Sequence, residues 1–184
     1  HDILLATDGF NFTFPVASGL SGITQEFKWS VPTTLVTSAA RLRVIARDPS
    51  GNVGQSESGF FTIRDTIAPT VTVTAPFSGQ VISSGSTFAI RWKSYDNISV
   101  ISHDIVLSTD GGFSFQNTIA FGLGGDQTAF FWPVPTNLTT SSAVIRVIAR
   151  DAAGNVGQGD SGIVTIRDTE PPIVTVTAPK TGQT

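Results

Sequence analysis

Residues 1–81 align with residues 103–184 once one extra glycine, Gly112, is allowed in the second copy, and 49 of the 81 paired positions are identical. The offset of 102–103 residues is the length of one β-sandwich module, and self-similarity at a fixed period marks an array of such units. The run Val174 to Pro179 (VTVTAP) repeats Val71 to Pro76, so a third copy begins before the chain ends. The pattern predicts three segments. Residues 1–66 form the C-terminal part of one module, lacking its first two strands; residues 67–169 form a complete module; residues 170–184 form a linker and the first strand of a following module.

The first copy has no counterparts of Val71, Val73, Phe88, Ile90 and Trp92. Five inward side chains at roughly 1.5–3 kcal/mol each rival the whole stability of a typical domain, about 5–15 kcal/mol. Residues 1–66 are therefore not expected to fold alone, and the sequence reads as a window of a longer tandem chain.

Composition narrows the class. Cysteine is absent, which removes disulfides, thiol nucleophiles and Cys-ligated metals. The absence of methionine as well suits an oxidising exterior, because neither oxidisable sulfur is present. The expected location is extracellular or at the cell surface. Lys and Arg number 11 against 14 Asp and Glu, for a net charge of −3; a nucleic-acid binder would carry a basic excess instead. No apolar run reaches the roughly 18 residues of a membrane span.

Short runs rich in Thr, Val, Ile and Phe, separated by Gly, Pro, Asn and Asp, predict an all-β fold. In the complete module seven strands are expected: Thr70–Ala75, Thr87–Lys93, Asp104–Ser108, Gln116–Ala120, Thr128–Val134, Val144–Asp151 and Gly162–Arg167. Alternation places Phe88, Ile90, Trp92, Ile105, Leu107, Phe130, Trp132, Val134, Ile145, Val147 and Ala149 inward. Ala152-Ala153-Gly154-Asn155 is expected to join the last two strands as a hairpin loop. Thr66–Pro69 and Thr169–Pro172 read as stiff linkers, since proline keeps them out of a sheet.

Several motifs recur: RVIARDPSGNVGQ at Arg43–Gln55 and RVIARDAAGNVGQ at Arg146–Gln158, FxWxVP at Phe27–Pro32 and Phe130–Pro135, and the RDT-x-x-P linkers. With the STDGG turn at Ser108–Gly112, the chain resembles the immunoglobulin-like or fibronectin type III-like repeats of prokaryotic extracellular and cell-surface proteins. Trp92 is similar to the core tryptophan of fibronectin type III modules. The resemblance implies tandem antiparallel β-sandwich modules. It also implies roles in spacing, adhesion and fibre assembly, or as accessory domains of secreted enzymes.

Candidate sites are few. His1 and His103 are each followed by Asp, a pairing used in relays and metal sites, but no nucleophile motif or second histidine at ligand spacing accompanies them, so no enzyme is expected. Asp65, Asp168, Asp48, Asp151, Asp96 and Asn97 cluster near module ends in the sequence plan. Calcium takes six to eight oxygens, and Asp65, Asp96 and Asp168 are the expected inter-module calcium ligands; otherwise no cofactor is expected. Asp and Asn are also the commonest turn residues.

Arg43, Arg47, Arg64, Arg146, Arg150 and Arg167 project outward, with cross-strand acidic partners expected. Trp29 and Trp132 share phase with the core rather than with a sugar-stacking face. Asn11, Asn97 and Asn137 each open an N-x-S/T acceptor pattern for glycosylation. Lys28 faces Phe131 in the repeat alignment, which argues against a repeated isopeptide crosslink.

The expected function is structural: an assembly module of an extracellular filament, stalk or adhesin shaft, its partners neighbouring copies of the same repeat. The rival is an accessory or carbohydrate-binding region of a secreted hydrolase.

Overall fold

Period-two alternation dictates strands, and among the described residues the computed structural model contains fourteen strands and no helix. It describes residues 1–178 and 181–182. Contacts divide the chain into two units. The first comprises His1–Ala68 with the segments Asp96–Ser99 and Asp151–Asn155; the second comprises Pro69–Tyr95, Val100–Arg150 and the described residues from Val156 onward.

In the first unit, β1 (Asp2–Ala6), β2 (Phe12–Ala17), β3 (Thr37–Arg47) and β4 (Val53–Glu57) form an antiparallel sheet in the order β2-β1-β3-β4. β5 (Phe61–Ile63) also pairs with β3. Asp8 closes the β1–β2 turn by accepting hydrogen bonds from the Phe10 and Asn11 amides, while Gly9 supplies the positive φ of 81°. Leu5, Ala6 and Ala40 are buried. The FxWxVP run at Phe27–Pro32 is not a strand, and Phe27 and Val31 are exposed.

The second unit contains β6 (Thr70–Ala75), β7 (Val81–Ser83), β8 (Thr87–Tyr95), β9 (Val100–Ser108), β10 (Asn117–Gly124), β11 (Ala129–Pro133), β12 (Thr140–Asp151), β13 (Val156–Asp160) and β14 (Val164–Arg167). One sheet runs β10-β9-β12-β14-β7, with β13 also on β12; the other runs β11-β8-β6. β7 is parallel to β14. Ile90, Trp92 and Trp132 from the three-stranded sheet pack with Ile105, Leu107, Ile145, Val147 and Ile166 from the larger one. That is a β-sandwich, built on the inward positions that alternation selects.

Seven of these strands answer to the seven expected, β6 with the expected ends and the other six with shifted ones. β7 and β13 are additions. Consequently the loop Ala152–Asn155 joins β12 to β13 rather than to the last strand. Val156–Asp160 reads VGQGD, a run too polar and glycine-rich to look like a strand. Its glycines have a steric reason. A Cβ on Gly157 would lie 1.6 Å from the Pro69 carbonyl oxygen, and one on Gly159 would lie 2.4 Å from that of Val71.

The expected third segment forms no strand over residues 170–178. Ile173, Val174 and Val176 are almost fully exposed there, and an extended run becomes a strand only where a neighbour receives its hydrogen bonds. Pro179, Lys180, Gln183 and Thr184 of that segment lie outside the described residues.

The two copies share one register. On β3–β4, Arg43 pairs with Glu57, Val44 with Ser56 and Ala46 with Gly54; on β12–β13, Arg146 pairs with Asp160, Val147 with Gly159 and Ala149 with Gly157.

Candidate functional site: an acidic cluster in the first unit

Asp65 follows β5 directly, Asp96 follows β8, and Asp151 ends β12. One carboxylate oxygen from each lies within 4.8 Å of the others. All three side chains are buried or nearly so, Asp65 and Asp96 at 9% exposure and Asp151 at 2%.

Local backbone geometry holds each one. Asp65 Oδ1 accepts from the Ile67 amide at 3.1 Å and from Asn97 Nδ2 at 3.0 Å. Asp96 Oδ2 accepts from the amides of Ile98 and Ser99 at 2.9 and 3.0 Å. Asp151 accepts from the Asn155 amide and from Asn155 Nδ2, both at 2.7 Å. Burial pushes the Asp151 carboxyl pKa up, but the Asn155 side chain and the backbone amides outweigh it and hold the group below the ordinary aspartate value.

Asp65 and Asp96, two of the three expected calcium ligands, thus meet. The third position is taken by Asp151. Asp168 belongs to the second unit, where it is exposed and accepts from the Glu170 amide at 2.9 Å. Asp48 is the repeat counterpart of Asp151 and closes the equivalent hairpin loop through Asn52. Asn97 places its amide nitrogen between Asp65 Oδ1 and the Thr33 carbonyl, the latter at 2.8 Å.

The remaining candidates have structural surroundings. His103 is fully buried. Its Nδ1 donates to the Gly124 carbonyl at 3.1 Å, its Nε2 accepts from Ser94 Oγ at 2.9 Å, and its ring lies edge-on to Trp92 with centroids 5.3 Å apart. Both nitrogens are committed to the fold. Trp132 is buried in the core, and Trp29 is half-buried. Asn11 and Asn137 are exposed, whereas the Asn97 amide is engaged as described.

Of the six arginines expected to project outward, Arg43, Arg47, Arg146 and Arg150 pair across strands. Arg43 binds Glu57 and Arg146 binds Asp160. Arg47 contacts Asp2, and Arg150 contacts the counterpart Asp104. Pairing alone understates this surface: Arg43 also lies 3.9 Å from the Phe12 ring centroid and Arg146 3.8 Å from that of Phe115, a cation–π geometry repeated in both copies. The F-x-F spacing of Phe10–Phe12 and Phe113–Phe115 carried the only sequence signal for it.

No known family's sequence profile matches the chain, and no curated protein matches it. Among solved structures it is similar to the fibronectin(III)-like modules of Clostridium thermocellum CbhA, at 16% identity and a TM-score of 0.45, over 95% of this chain and 83% of that one. On its own geometry the chain is an all-β protein whose second unit is a β-sandwich. Among the described residues no helix is long and apolar enough to cross a membrane.

Proposed function

We propose that the chain is a structural segment of an extracellular tandem-repeat protein, in which modules of one hydrophobic plan set the length of a filament, stalk or adhesin shaft. The supporting observation is the shared β-ladder: identical strand register in two copies whose exposed loops differ, as in residues 23–25 against residues 126–128. Selection on a shaft acts on packing and leaves exposed loops free to vary. The partners in this reading are neighbouring copies of the same repeat, and the role requires no cofactor.

Electron microscopy of the native material tests it. Filaments or stalks with a module-sized axial repeat are expected, and dispersed single particles would count against it.

A second reading, an accessory carbohydrate-binding region of a secreted hydrolase, draws on the exposed rings of Tyr95 and Phe131 on the β11-β8-β6 sheet. Phe131 pairs with Ala89, so Tyr95 lies six residues further along β8, about 20 Å away at 3.3 Å per residue. That is too far for adjacent stacking on one sugar. Saturable binding to insoluble polysaccharide would favour this reading.

A further inference from the structure

We propose that Asp65, Asp96 and Asp151, with the side-chain oxygen of Asn97, form a calcium-binding site. The inference goes beyond the structural role and stands whether or not the chain builds a shaft.

The cluster alone would not carry it, because carboxylates gather at turns without binding ions. The decisive atoms are two oxygens with nothing to bind. Asp96 Oδ1 and Asn97 Oδ1 are both buried and accept no hydrogen bond from any protein group. Leaving a buried acceptor unsatisfied is costly, more so for a charged one. Rotating either side chain gives no relief. Asp96 Oδ2 is held by two backbone amides, and the Asn97 nitrogen already donates to Asp65 and to the Thr33 carbonyl. The amide is therefore oriented, and its oxygen is the end left over.

The charge balance points the same way. The ion pairs among the described residues engage Asp2, Glu57, Asp104 and Asp160, and none reaches Asp65, Asp96 or Asp151. Three aspartates whose oxygens approach within 4.8 Å repel one another, and a divalent cation is the compensating partner. The donor set is oxygen only, which selects a hard ion over zinc or copper. Oxygens that all lie within 4.8 Å of one another fit inside the coordination sphere of a cation with bonds of about 2.4 Å. Calcium also accepts an irregular mixture of carboxylate, amide and water oxygens, whereas magnesium demands near-octahedral geometry. The amides of Ile67, Ile98, Ser99 and Asn155 fix the carboxylates from behind, as second-layer donors do in metal sites.

Calcium chloride titrated into the EDTA-stripped full chain, followed by calorimetry, tests the site. One calcium per chain is expected, with a raised melting temperature and with magnesium chloride binding at least tenfold more weakly. Asp96→Asn keeps the side-chain shape, and it should weaken calcium binding at least tenfold and abolish the thermal shift. Asp168→Asn should leave both unchanged. Melting of each apo variant establishes that it is folded, and terbium luminescence sensitised by Tyr95, which adjoins Asp96 in the chain, provides a readout independent of stability. Absence of calcium binding by the folded wild-type chain at millimolar concentration overturns the proposal. So does an Asp96→Asn chain that binds as well as wild type, or loss of binding on Asp168→Asn alone.

Discussion

Val44 and Val147 occupy the same register position on equivalent strands, yet Val147 is fully buried and Val44 is 40% exposed. The ladder around them is the same; what differs is the second layer. In the second unit the β11-β8-β6 sheet supplies Ile90, Trp92 and Trp132 to the core that holds Val147. In the first unit no β8 counterpart exists among the described residues, and the FxWxVP run that corresponds to β11 stays irregular.

This asymmetry predicts opposite responses to one substitution. Val147→Thr keeps the shape but buries a hydroxyl without an acceptor, at a cost of about 1–3 kcal/mol. Val44→Thr should stay within about 0.5 kcal/mol, as for an exposed position. Calorimetric melting of the two variants beside the wild type separates the outcomes, and equal effects would contradict the burial difference.

Gly157 and Gly54 form a second matched pair. A Cβ on Gly157 meets the Pro69 carbonyl, whereas one on Gly54 meets nothing within 4 Å. Gly157→Ala should therefore displace β6 from β13 and cost about 3 kcal/mol or more, the upper end of overpacking penalties. Gly54→Ala should be close to neutral. Urea unfolding monitored by tryptophan fluorescence reads the difference.

His103 is predicted to be a packing residue. His103→Ala removes a ring beside Trp92 and strips the Gly124 carbonyl and Ser94 hydroxyl of their partner. The expected loss is about 3–5 kcal/mol, as for other large buried rings. The change should also alter the near-ultraviolet circular dichroism of Trp92.

Acid sensitivity should centre on the β1–β2 turn and its counterpart. The Asn11 amide, the Phe10 amide and the Asn11 side chain hold the Asp8 pKa at about 2, below its ordinary 3.8. Hydroxyls of Ser108 and Ser114 lower Asp110, its repeat counterpart, in the same direction. A folded pKa below the unfolded value means that the unfolded chain binds more protons as pH falls. The stabilisation is thus complete above about pH 4 and is lost on descending toward pH 2. Asp8→Asn should flatten the melting-temperature profile between pH 4 and 2 while leaving its slope above pH 5 unchanged.

The strands legible in the sequence, β6, β8, β9, β10, β11, β12 and β14, carry apolar residues at alternate positions over most of their length. β13 departs from that pattern because Gly157 and Gly159 are selected by the backbone passing over them, which is a tertiary fact. The acidic cluster is legible in the sequence as residue types and only partly as a set. The sequence points to Asp65 and Asp96 with Asp168, and to Asp151 only within the wider acidic group; proximity selects Asp151, which ends a strand from another part of the chain.

Sequence alone determined the period, the all-β character and the inward positions from Ile90 to Ala149, because alternation is a local property that each strand carries within itself. Tertiary structure alone decided whether Val44 or Val147 is shielded, whether FxWxVP becomes a strand, and which carboxylates converge. Those outcomes depend on what lies across the sheet or at the far end of a loop, and no run of neighbouring residues encodes the partner that a side chain will meet.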